Sequence, residues 1–139
     1  MTEEKPPPID KALVEEFVLR SHCDLGFVTE TVEREPQIVN AAWDWGGGDW
    51  ETGLGAAAHV GRRDIAEYLL EHGAWKDVFA AAMLGEVDVV RALLDAQPEL
   101  REARGPHGIS LHAHAEAGGE QATEVLELLH RAAAPRLAR

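Results

Sequence analysis

Cysteine is almost missing from these 139 residues: Cys23 stands alone, so no internal disulfide can form, and a reducing compartment suits the chain. Long apolar runs are missing too. No stretch approaches the roughly 20 residues that cross a bilayer, and Met1 to Pro8 lacks the apolar heart of a signal peptide. The expectation is a cytoplasmic protein with no membrane partner. Basic residues are scarce, with 13 Lys and Arg against 25 Asp and Glu and a formal net charge of −12. The acid gathers in the first half: residues 1–60 hold 12 acidic groups against four basic, whereas residues 101–139 hold five of each. Without a basic stripe, nucleic acid and anionic surfaces are repelled, and a basic protein segment is the better electrostatic match. Familiar chemical motifs are missing as well. No Gly-x-x-x-x-Gly-Lys pattern accompanies Gly46-Gly47-Gly48, no Cys or His pair has structural-zinc spacing, and neither Ser110 nor Cys23 belongs to a nucleophilic triad. The sequence therefore predicts no catalytic residue, no cofactor and no metal ligand.

What the chain has is repetition. Ala56-Ala57-Ala58, Ala80-Ala81-Ala82 and the segment Ala113 to Ala117 each precede a turn glycine, at Gly61, Gly85 and Gly118. Each glycine is followed by an amphipathic helix ending in a leucine pair: Leu69-Leu70, Leu93-Leu94 and Leu128-Leu129. Small residues let paired helices approach closely, and the leucines supply apolar area. One unit opens with Thr52-Gly53-Leu54-Gly55 and another with Ile109-Ser110-Leu111-His112, ordered partial matches to a Thr-Pro-Leu-His signature. In this respect residues 51–131 resemble the ankyrin repeat family. The resemblance implies an all-α solenoid of stacked helix-turn-helix units with short or irregular β-hairpin fingers, whose usual business is surface presentation. A degenerate first unit precedes them, with a helix over Lys11 to His22 and Cys23 in the place of the turn glycine. Four units result, at about 9–50, 51–75, 76–104 and 105–131, flanked by a disordered segment 1–8 and a tail 132–139.

Spacing breaks the regularity. Gly85 and Gly118 lie 33 residues apart, the family's period, but Gly61 and Gly85 only 24. The finger between Ala74 and Val78 should be a stub, while the preceding connection, Asn40 to Glu51, is long and carries three of the four tryptophans. A long loop beside a shortened one is expected to fold over the gap.

Two sets of residues are candidates for function. Trp43, Trp45 and Trp50 in the long loop and Trp75 in the stub all fall on the finger edge, with Asp44, Asp49 and Glu51 setting an acidic polarity and His107 at a nearby turn tip. Such rings either roof their own fold or bind a partner. The first expectation is a module that binds a protein partner at this edge, as a monomer or a homodimer. The alternative is a small-molecule binding protein or an acid–base enzyme, with a pocket under the 40–51 loop lined by His59, His107 and His114 and with Glu116 close by. His114 is the odd member, because the family places a buried alanine there.

Overall fold

The computed structural model describes residues 4–131; the expected tail 132–139, like residues 1–3, lies outside them. Residues 4–8 carry no helix or strand and are exposed. The chain is mainly α-helical, with eight α-helices among the described residues: α1 Lys11–Arg20, α2 Leu25–Arg34, α3 Gly53–His59, α4 Arg63–Glu71, α5 Val78–Leu84, α6 Val87–Ala96, α7 Leu111–Ala117 and α8 Thr123–His130. None is long and apolar enough to cross a membrane.

Helices start where the sequence supplies an acceptor for the free amides of the first turn. Asp24, Thr52, Asp77 and Ser110 each accept from the amide three residues on, at 2.9–3.1 Å. The first helix stops at Arg20 instead of running to His22: the amides of His22 and Cys23 bond only three residues back, to Leu19 O (3.2 Å) and Arg20 O (3.0 Å), and the chain turns through Cys23, while the Ser21 hydroxyl donates to Phe17 O (2.7 Å). Cys23 itself is exposed.

Helix α3 packs on α1, α5 and α7, and α5 on α7, so the alanine-rich helices form one inner row. Residues Gly53 to Ala58 and Ala80 to Met83 are all buried there. On this row sit α2 against α1, α4 against α3, α6 against α5 and α8 against α7. Phe17, Ile38, Leu54, Ile65, Leu69 and Met83 fill one core, and Val90, Leu94, Leu111, Val125 and Leu128 a second. Gly61 and Gly85 take left-handed φ values of 74° and 79°, as turn glycines should. In the last pair that conformation falls on Gly119 (φ 64°), while Gly118, the expected turn residue, lies so close to Met83 O that a side chain there would collide with it.

The long connection folds into a hairpin. Strands β1 (Ala42–Asp44) and β2 (Trp50–Thr52) pair antiparallel, with Trp43 opposite Glu51. Gly46, Gly47 and Gly48 all have positive φ, and Asp44 Oδ1 accepts from the amides of Gly46 (2.9 Å) and Gly48 (3.0 Å), which fixes the tip. Asn40, just before β1, donates to Gly73 O and accepts from Trp75 N, both at 3.0 Å. No strand forms between Ala74 and Val78, so the short connection is tied to the root of the hairpin by one side chain.

Candidate functional site

Strand alternation decides which side chain of the hairpin goes inward. Trp50 is 61 % exposed, whereas its neighbour Glu51 is buried, and the side chain of Glu51 lies beneath the hairpin with no exposed surface. Three histidines from three other segments meet it there. His22 follows α1, with Nδ1 held by Leu19 O at 2.8 Å. His59 is the last residue of α3. His107 sits in the turn Pro106–Gly108 at φ 62° and ψ 18°, a left-handed conformation that a side-chain-bearing residue adopts at a cost. Asp49 holds it in place: its Oδ1 accepts from His107 N and its Oδ2 meets His107 Nδ1, both at 2.8 Å.

The four side chains converge on one point. Glu51 Oε2 lies 3.1 Å from His59 Nε2, 3.2 Å from His107 Nε2 and 3.4 Å from His22 Nε2. His22 Nε2 and His59 Nε2 are 3.0 Å apart. The other carboxylate oxygen, Oε1, accepts from Trp45 Nε1 at 2.8 Å, but among the described residues no contact to Oε2 has the alignment of a hydrogen bond. Among the described residues, the ion-pair partners of Glu51 are these histidines alone. Burial opposes ionisation of Glu51, but His22, His59 and Trp45 outweigh it and hold the carboxyl far below the usual carboxylate range. The Glu51 carboxylate in turn raises the pKa of His22 above the ordinary imidazole value, against the effect of burial.

The expected pocket set is thereby divided. His59 and His107 come together, joined by Glu51, which is buried beneath the hairpin rather than on the partner-facing surface expected for it. His114 does not join them. It is buried under Phe79 (ring centroids 4.8 Å apart) and Gly105, Nδ1 donates to Ser110 O (2.8 Å), and Nε2 has no hydrogen-bond partner among the described residues. Desolvation lowers its pKa. Glu116 is elsewhere again, exposed and 3.2 Å from His112 Nδ1, with His112 Nε2 2.8 Å from His130 Nε2. An i, i+4 spacing on α7 takes Glu116 to His112, away from the buried side that His114 occupies.

The aromatic and acidic set divides too. Trp43 and Trp45 are half-buried against the first core, whereas Trp50 and Trp75 are exposed, Trp75 by 79 %. Asp44 is spent on the hairpin tip and Asp49 on His107. His22 was absent from the sequence-derived set. Its signal was positional: His22 follows the first helix of one pair as His59 closes the first helix of the next, so stacked pairs bring the two together. No protein-family model, curated protein or solved structure matches the chain.

Proposed function

We propose that this chain is a small cytoplasmic binding protein, built of stacked helix pairs similar in plan to ankyrin repeats, whose working centre is the carboxylate–histidine cluster beneath the 40–51 loop. One observation carries the reading. A carboxylate with no exposed side-chain surface is brought against three imidazoles from three separate segments. Packing alone is served better by an apolar side chain, since burying a charge costs several kcal/mol before its partners repay it. His107 adds a strained backbone at the same place, and such strain gathers where a site must be held in shape. The cluster also has the parts of an acid–base site, with Asp49 orienting His107 as a carboxylate orients a general base.

The test is a thermal-shift panel of small ligands on the wild type and on His59→Ala, with helical circular dichroism as the folding check. A ligand of the centre raises Tm in the wild type and not in the variant, by an amount that grows with its concentration. A panel that treats both proteins alike sinks the reading.

The exposure of Trp50 and Trp75 favours a second reading, a protein partner with a basic segment at the acidic finger edge. Trp50→Ala combined with Trp75→Ala would then weaken capture of that partner while leaving the centre and the helical content intact.

A further inference from the structure

We infer that the ligand of this centre is a divalent transition-metal ion of the zinc type, bound by Nε2 of His22, His59 and His107 and by Oε2 of Glu51; the inference rests on reading the cluster as a ligand site. The four atoms all lie within 4.8 Å of one another.

Tautomers give the first argument. The Nδ1 of His22 faces a carbonyl oxygen and that of His107 a carboxylate oxygen, each at 2.8 Å, so both nitrogens must carry the proton and donate it. In the neutral rings, Nε2 is then a bare lone pair. Those nitrogens lie 3.4 and 3.2 Å from a buried carboxylate oxygen without aiming at it as in a hydrogen bond, and His22 Nε2 lies 3.0 Å from His59 Nε2. A neutral His59 carries one proton and can donate Nε2–H to one of these acceptors, as to His22 Nε2, but the others are left facing one another and repel unless a cation lies among them. Protonating the rings supplies one kind of cation, but only by crowding as many as three imidazolium charges into a half-buried space served by two carboxylates, Glu51 and Asp49. One divalent ion satisfies all four atoms at once, including Oε2, which otherwise has no aligned donor.

Geometry gives the second. A tetrahedral ion with ligand bonds of about 2.0–2.1 Å has ligand–ligand edges of about 3.3 Å. Four of the six edges here measure 3.0, 3.1, 3.2 and 3.4 Å. Three imidazole nitrogens and one carboxylate oxygen suit zinc and its neighbours, whereas calcium and magnesium demand oxygen shells. The surrounding groups agree: the Leu19 carbonyl and the Asp49 carboxylate hold the outer nitrogens of two ligands, the arrangement that orients metal-bound histidines. With neutral rings, a divalent ion leaves one positive charge after Glu51, which Asp49 offsets. The exposed side of the site is His107, whose side chain is 34 % accessible and offers a path for the ion.

Chelator-stripped protein titrated with Co²⁺ and then Zn²⁺ tests this. The expected result is one equivalent of Co²⁺ with the intense visible d–d absorption of a tetrahedral site, displaced by Zn²⁺. His59→Ala and His107→Ala should each lower the affinity by at least 100-fold at unchanged helicity. His112→Ala, in the surface histidine pair, should not. Should His59→Ala fail to fold, Asp49→Asn leaves all four ligands in place and is expected to weaken binding about 10- to 100-fold. The metal assignment is overturned if wild type and His59→Ala bind Co²⁺ and Zn²⁺ equally. In that event, a non-metal ligand from the thermal panel that still discriminates the two proteins keeps the centre as a ligand site, and its absence removes both conclusions.

Discussion

His114 shows how a single buried side chain makes stability depend on pH. Its ring is 0 % exposed, its Nδ1 is committed to Ser110 O, and desolvation lowers its pKa below the unfolded value near 6.5. At pH 7 and above both states are neutral and nothing is lost. As pH falls through about 6.5, the unfolded chain takes up a proton that the folded one resists, so stability declines until the folded pKa is passed. His22 acts in the opposite direction in the metal-free protein, since its raised pKa favours the folded state once both can protonate. The contribution of His114 is therefore read as a difference: between pH 7.5 and 5, Tm of the wild type should drop more steeply than that of His114→Gln. Parallel curves would mean that the ring is reached by water. At the other extreme of exposure, Trp75→Ala removes a side chain that is 79 % accessible and should change unfolding free energy by no more than about 0.5 kcal/mol in urea titrations.

At the level of elements, a turn packed on a neighbouring helix pair tolerates less than its glycine alone suggests. Gly73 and Gly85 both have positive φ, at 99° and 79°, so alanine at either is strained by about 1–2 kcal/mol. A Cβ at Gly73 meets nothing within 4 Å, whereas one at Gly85 runs into the backbone of Gln121 and Ala122 in the last pair. Gly85→Ala should therefore cost clearly more than Gly73→Ala in urea denaturation, and equal costs would mean that the two pairs yield freely to each other. The same contrast explains what was legible in advance. Alanine-rich inner helices, leucine-bearing outer helices and the turn glycines Gly61 and Gly85 are local patterns, and they fall where periodicity puts them. The shift from Gly118 to Gly119 was not legible, because it is set by the approach of Met83 O, a contact between helix pairs. Nor was the burial of Glu51. Read locally it is one acid among the tryptophans of a loop; only hairpin pairing, opposite Trp43, turns it inward.

At the scale of the whole molecule, the cluster joins segments that lie far apart in the chain, which makes it a cross-link as well as a site. His22 belongs to the first helix pair, Glu51 and His59 to the second, and His107 to the connection that leads into the fourth. In the metal-free protein these segments are joined by α3 and α5 and by the Asp49–His107 contact across the hairpin tip. An ion bound at all four side chains adds a constraint between segments as much as 85 residues apart in sequence, present in the folded state and missing from the unfolded chain. By mass action, zinc at 1,000 times its dissociation constant stabilises the fold by about 4 kcal/mol. For a domain of this size that is roughly 10–30 °C in Tm, since about 1 kcal/mol corresponds to about 2–8 °C. Stripping the protein with a chelator should lower Tm by this order, and restoring Zn²⁺ should recover it. His59→Gln should remove the difference between the two states, and Phe17→Ala, which costs about 3–5 kcal/mol of core packing, should lower both Tm values while keeping their separation. A zinc-dependent increment that vanished in Phe17→Ala but survived in His59→Gln would locate the metal effect outside the cluster.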